Sequence, residues 1–191
     1  TDGGSGWSGL AGTRVHVVLR DSAGALWVGS AAGLFRREPH GDQFKPVRLL
    51  SGHGAQPEPQ TLAEDSAGRL WVGTLQHGAF VLDDRGQGPA RPVLETMSPD
   101  GVDLLRDRQI VTLAEVQPGE MWIGTVGQGI VSVDLAQGET HRIRNVPTWP
   151  MSLPDNALRD LHRDRAGLVW VATNRGISRH DPRQSAILTR F

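Results

Sequence analysis

The chain has 191 residues, a formal net charge of −1, 38% hydrophobic residues, 24 glycines, 12 prolines and no cysteine. That length allows one all-β domain or at most two small ones, and so balanced a charge gives no field to draw nucleic acid or an anionic membrane surface. Without cysteine neither a disulfide framework nor a thiolate metal site can form, and no run approaches the roughly 20 apolar residues of a membrane span.

In chain order, Thr1 to Gly6 reads as a linker, so residues 1–12 are set apart as a linker or edge segment and the remainder as a mature or excised soluble piece. A first unit follows. Val15 to Leu19 is a strand, Asp21-Ser22-Ala23-Gly24 is a turn, and Leu26-Trp27-Val28 is a second strand. In the turn, Asp bonds to backbone amides just ahead of it and Gly takes a positive φ. The loop Ser30-Ala31-Ala32 leads to a third strand at Gly33-Leu34-Phe35, and a weaker fourth lies around 44–49.

The unit recurs. Asp65-Ser66-Ala67-Gly68-Arg69-Leu70-Trp71-Val72-Gly73-Thr74 repeats it almost letter for letter, and Asp164-Arg165-Ala166-Gly167-Leu168-Val169-Trp170-Val171-Ala172-Thr173 closes the series. The third copy, Pro118-Gly119-Glu120-Met121-Trp122-Ile123-Gly124-Thr125, has Val116 where the turn Asp should stand and Pro118 inside the turn. The repeat tryptophans lie 44, 51 and 48 residues apart (71−27, 122−71, 170−122). Self-similarity at a period of about 40 to 50 residues signals a solenoid, propeller or array.

The tryptophan strand decides what each unit packs against. Successive side chains of a strand point to opposite faces, yet Leu26, Trp27 and Val28 are all apolar, so both faces are buried against neighbouring copies. Four-stranded antiparallel sheets stacked face to face are the blades of a β-propeller. The prediction is therefore an all-β propeller of four blades at about 13–50, 58–95, 108–146 and 155–191, with Trp27, Trp71, Trp122 and Trp170 in the core. Gly29, Gly73, Gly124 and Ala172 after the tryptophans permit close sheet-to-sheet approach.

These units resemble the two-component regulator propeller repeat, and Ser152-Leu153-Pro154-Asp155-Asn156-Ala157-Leu158 resembles that family's lead-in to the next blade. The resemblance implies the sensory part of a bacterial receptor, outside the cytoplasmic membrane and hence periplasmic, with a histidine kinase or diguanylate cyclase at the other end. It names no ligand and implies no cofactor. Family members usually carry more blades. An open four-blade stack would bare two faces, each hiding roughly 600 Å² of apolar surface, or about 15 kcal/mol of burial. Closure as a four-bladed ring, or self-association of two chains into a larger one, is ranked ahead of a fragment with missing blades.

The expected site lies on one rim, where the loops between second and third strands meet the connections between blades. Within a repeated loop frame the residue before Gly varies as Ala32, His77, Gln128 and Arg175, as in a site assembled from several blades. Together with Asn174, and with Trp149 standing between Pro147 and Pro150 as a stacking surface, these are the candidate contacts to a small molecule or oligosaccharide. The turn residues Asp21, Asp65 and Asp164 are assigned to the turn. None of the seven histidines falls in a ligand-pair spacing, so no metal is expected.

The alternative to a sensor is a protein-interaction scaffold propeller, and an enzyme is disfavoured. Sialidase propellers place Gly and Trp one position nearer their Asp and need a tyrosine nucleophile, whereas Gly here follows Asp by three and Trp by six, and tyrosine is absent. A lyase would rest on His77, and a glycosidase on Asp103 and Asp155, a pair the sequence cannot bring together.

Overall fold

In the computed structural model the described residues are 10, 12–50, 56–83, 90–93, 105–134, 136–149 and 151–183. They form antiparallel sheets in chain order. The first holds β1 (Val15–Arg20), β2 (Leu26–Ser30), β3 (Gly33–Arg37) and β4 (Lys45–Val47); the second β5 (Pro59–Glu64), β6 (Leu70–Thr74), β7 (Ala79–Leu82) and β8 (Arg91–Pro92). The third holds β9 (Ile110–Gln117), β10 (Glu120–Thr125), β11 (Ile130–Asp134) and β12 (Glu139–Ile143); the last β13 (Leu158–Arg163), β14 (Val169–Thr173) and β15 (Gly176–His180). Each sheet is a meander in strict sequence order, as the blade reading requires. The fourth strand expected at 186–191 and Trp7 of the leading segment lie outside the described residues.

The first strands of neighbouring sheets, β1, β5, β9 and β13, pack successively on one another, and three apolar layers separate the four sheets. Trp27 and Leu34 meet Leu70, Val72 and Phe80; Trp71 and Val81 meet Met121, Ile123 and Val131; Trp122 and Ile130 meet Leu161, Val169 and Val171. The tryptophan of each of the first three blades thus faces the next blade, and in the last three blades its two strand neighbours face the previous one. Close approach is imposed where expected. A Cβ on Gly73 would lie 2.5 Å from methyls of both Ile110 and Thr61, and one on Gly124 would lie 2.4 Å from a methyl of Thr112.

The stack does not close on itself. Val18 of β1 and Ile177 of β15 are 56% and 64% exposed. Trp170 departs from the core assignment for the same reason. No described blade follows it, so its indole is only partly buried, with the Arg179 guanidinium 5.9 Å from the ring centroid.

The turn aspartates serve the turn and something more. Gly24, Gly68 and Gly167 take φ of 87°, 78° and 85°, the left-handed residue that ends a type I turn in a hairpin. One carboxylate oxygen accepts the amides of the turn, Ala25 N at 2.7 Å for Asp21 and Arg69 N at 2.9 Å for Asp65. The other accepts the indole N–H six residues on: Trp27, Trp71 and Trp170, at 2.8, 2.8 and 2.9 Å. In the third blade Pro118-Gly119 makes a two-residue turn, and the indole of Trp122 donates instead to Glu120 Oε1 at 2.9 Å. The missing Asp is replaced by a carboxylate from the next strand.

Candidate functional site

Strand register places the loops after β2, β6, β10 and β14 at the same end as the starts of the first strands, since Ser30 pairs with Val15, Thr74 with Pro59, Thr125 with Ile110 and Thr173 with Leu158. One construction repeats there. The residue after each tryptophan strand donates its N–H to the carbonyl just before its own first strand: Ala31 to Arg14, Leu75 to Glu58, Val126 to Gln109 and Asn174 to Ala157, at 2.9 to 3.2 Å.

A hydroxyl caps each loop. Ser30 and Thr74 donate to the carbonyls of Gly33 and Gly78 at 3.2 and 2.7 Å, and Thr125 and Thr173 to those of Gly129 and Gly176 at 2.8 and 2.9 Å. The same oxygens accept the N–H of the variable residue, Ala32, His77, Gln128 or Arg175, at 3.0 to 3.3 Å. Ser or Thr at the strand end therefore makes the same pair of bonds in four blades, across a loop one residue shorter in the first and last than in the middle two, while the side chain in the slot differs.

The structure fastens several of the expected contacts to one run of chain, 145–156. The N–H groups of Gly127 and Gly129, on either side of Gln128, donate to the Asn156 carbonyl at 3.1 and 2.9 Å. Asp155, beside it, lies 3.5 Å from the Arg175 guanidinium, and Asn174 Oδ1 accepts from Arg159 Nε at 2.5 Å. Trp149 sits in a turn closed by its N–H to Val146 O at 2.8 Å and by Ser152 N to its own carbonyl at 3.0 Å. Trp149 is 39% exposed. His77 stands one blade away: its loop is tied to the next blade through Gly78 N and Arg108 O at 3.1 Å. Asp103, the second carboxylate of the glycosidase reading, lies outside the described residues.

Arg142 of β12 supports Gln128, donating from Nε to its carbonyl at 3.0 Å and from Nη2 to its side-chain oxygen. Partial burial, then the charges of Arg144 and Arg108, lower the Arg142 pKa. One guanidinium thus holds Gln128 at both its carbonyl and its side-chain oxygen, a feature the residue spacing does not reveal.

A second feature also escaped sequence reasoning. Each first strand carries a bulge one residue in, at His16, Gln60, Val111 and Arg159, where the pairing register slips. Bulges re-aim side chains and gather next to sites. Glu58 Oε1 lies 2.6 Å from His16 Nε2, off the line of the ring N–H, and 3.6 Å from Arg14, and accepts Gln60 Nε2 at 3.4 Å. The result is a polar cluster bridging the first two blades at the inner end of the rim. The four bulged residues share no side-chain type, so the repeat gives no letter signal for them.

Residues 56–76 and 152–175 match the family described as Two component regulator propeller. Two stretches of the chain are thus similar to two-component regulator propeller repeats. No curated protein matches the sequence. Among solved structures, the chain is similar to the extracellular domain of BT4673 from B. thetaiotaomicron, a proposed one component system, at TM-score 0.72 and 22% identity over 86% of this chain. It is similar to that of BT3049 from the same organism, a proposed hybrid two component system, at TM-score 0.71 and 19% identity over 95%. A streptogramin B lyase follows at TM-score 0.59 and 16% identity, over 87% of this chain and 54% of that one. The chain spans 21% and 24% of the first two structures' own chains. At such identities the likeness establishes the β-propeller fold alone.

Among the described residues no helix is long and apolar enough to cross a membrane, and no group of three or more His, Asp or Glu could hold a metal ion.

Proposed function

We propose that the chain is a non-catalytic ligand-sensing propeller segment of a bacterial signal-transduction receptor, lying in the periplasm and reading its ligand at the rim. The observation that carries this reading is the four-fold loop frame. A Ser or Thr hydroxyl fixes the backbone of each loop, and the slot it holds is filled differently in every blade. A frame held constant while its displayed residue changes suits recognition of an asymmetric ligand.

The chemistry on display suits a small polar molecule or an oligosaccharide. Trp149 offers a flat apolar face for stacking, Gln128 and Asn174 offer amide donors and acceptors, and Arg175 offers a planar fork. The match to two-component regulator propeller repeats and the likeness to extracellular receptor domains support placing this recognition in a receptor.

The test is thermal-shift screening with a panel of oligosaccharides and peptides, because a ligand that binds only the folded form raises its melting temperature. The best ligand should shift the wild type and fail to shift a variant carrying Trp149→Ala, Gln128→Ala and Arg175→Ala. An equal shift in that variant overturns the rim assignment.

A further inference from the structure

The groove between the second and third blades ends, at the rim, in side chains that donate hydrogen bonds and carry positive charge. Arg142 of β12 pairs in register with Val131, whose side chain lies in the apolar layer shared by those two blades. Directly paired residues of an antiparallel sheet project to the same face, so Arg142 stands on the side turned to the second blade. Its neighbour Ile143 turns the other way, into the layer shared with the fourth blade. Arg144 follows Arg142 at the two-residue spacing that returns a side chain to the same face. Arg108 comes from the connection between the two blades, where its carbonyl accepts the Gly78 N–H of the second blade at 3.1 Å.

These three guanidiniums are close enough to feel one another. Partial burial first, and then the charges of Arg144 and Arg108, lower the pKa of Arg142. Among the described residues no carboxylate, Asp107 included, forms an ion pair with Arg108, Arg142 or Arg144, whereas Arg14, Arg36, Arg69, Arg175 and Arg183 each have one. Like charges gathered without a counterion raise the energy of the rim, and a bound anion lowers it.

The hydrogen-bonding inventory is one-sided as well. Arg142 donates Nε and Nη2 to the carbonyl and side-chain oxygen of Gln128, two of the five N–H donors of a guanidinium. What remains is the rest of the Arg142 fork, the Gln128 side-chain NH2 and the exposed guanidiniums of Arg108 and Arg144. All of these groups are donors. A neutral hydroxyl ligand needs acceptors too, while an oxyanion needs donors alone. Three positive centres also exceed the single charge and two oxygens of a carboxylate.

We propose that this end of the groove is a binding site for a tetrahedral oxyanion, a sulfate or phosphate group, held by Arg108, Arg142 and Arg144 beside Gln128. The site deepens the rim reading by giving the ligand a charged group, and it rests on that reading only for what the group is attached to.

NMR of the isotope-labelled chain during titration with inorganic sulfate at constant ionic strength tests it. Sulfate should shift the amide signals of Arg108, Gln128, Arg142 and Arg144 saturably, and chloride at the same ionic strength should not. Methyl sulfate, titrated alongside, tells an esterified group from the free ion. Arg108→Gln and Arg144→Gln should each weaken sulfate binding at least about threefold, and the two together about tenfold, since each removes a charge-assisted contact. Both side chains are exposed, so amide signals elsewhere should keep the wild-type pattern and mark the variants as folded. Arg165→Gln, in the exposed turn at the far end of the fourth blade, should bind sulfate as the wild type does. The proposal is overturned if sulfate gives no saturable shift, if acetate binds more tightly than sulfate, or if the double variant binds as tightly as the wild type. Because the probe is sulfate alone, failure here leaves the thermal-shift test of a stacking ligand standing, and failure of that test leaves this site standing.

Discussion

Asp65 Oδ2 accepts the indole N–H of Trp71 at 2.8 Å, and both side chains are buried. The same carboxylate takes Arg69 Nε at 2.7 Å and, through its other oxygen, the amides of Ala67 and Arg69 at 3.0 and 2.9 Å. A single residue therefore builds the turn and satisfies the one polar atom of the largest core side chain. The spacing of six residues between Asp and Trp is the reach of that bond.

Removing the carboxylate should strand the indole N–H in the core. Asp65→Ala should cost about 3 kcal/mol by urea denaturation, since an unsatisfied buried donor carries its full desolvation penalty and the turn is lost as well. Asp164→Ala should cost less, because Trp170 is partly open to water, which can take the place of the carboxylate. Equal losses at the two sites would show that the turn alone matters.

The sheet-to-sheet contact at Gly73 leaves no room for a methyl group. Gly73→Ala should destabilise by about 2 kcal/mol or more, because its Cβ would overlap Ile110 and Thr61. Gly41→Ala, where the nearest atom to a Cβ is Glu38 Cβ at 3.4 Å, should change stability by less than about 0.5 kcal/mol. Chemical denaturation of the two variants checks the contrast.

Two inter-blade clasps should be worth measuring separately: Ser22 donates its N–H and hydroxyl to Glu64 of the following blade at 2.7 and 2.6 Å, and Ser66 does the same to Glu115 at 2.8 and 2.7 Å. Glu115 accepts Gly119 N at 3.1 Å in addition to both Ser66 donors, whereas Glu64 receives only the Ser22 pair among the described contacts. Glu115→Ala should therefore cost more than Glu64→Ala, with losses of about 2 and about 1 kcal/mol respectively. In each case Ser→Ala at the partner should recover only part of that loss when made alone, and a double-mutant cycle reads the coupling.

His180 gives the fold a pH dependence. The ring is buried, stands edge-on to Trp122 with centroids 6.0 Å apart, and has Ser178 Oγ 3.0 Å from Nε2. Burial lowers its pKa below the ordinary histidine value. The unfolded chain then binds this proton more readily than the folded one, so the contribution to stability is complete above about pH 6.5 and falls away as the pH drops below it toward the depressed value. The melting temperature should fall between about pH 7.5 and pH 5, and His180→Phe should flatten that part of the profile. An unchanged slope in the variant would assign the pH dependence to other groups.

Much of the architecture was legible because repetition amplifies weak signals. Leu26-Trp27-Val28 alone is an ambiguous apolar burst, but four copies at one spacing, each flanked by turn chemistry, admit only stacked sheets. The loop frame was legible in the same way, as Ser or Thr followed after two or three residues by Gly, with the residue before that Gly changing from blade to blade. The bulges at His16, Gln60, Val111 and Arg159 were not, since a register slip depends on how two strands pair and leaves no common residue behind. Nor was the Glu120 acceptor for Trp122, which lies on the tryptophan strand itself and not in the turn where the other blades carry Asp.

By itself, then, the sequence determined the repeat, the all-β class, the blade cores and the loops that display variable residues, because these follow from local turn geometry and the two-residue period of a strand. Tertiary structure alone decided which face of each blade meets its neighbour and which of the rim residues are tied to the 145–156 run. The first depends on contacts between residues 40 or more positions apart and the second on contacts 20 to 29 apart (175−155, 156−127), and no local pattern in the chain encodes either.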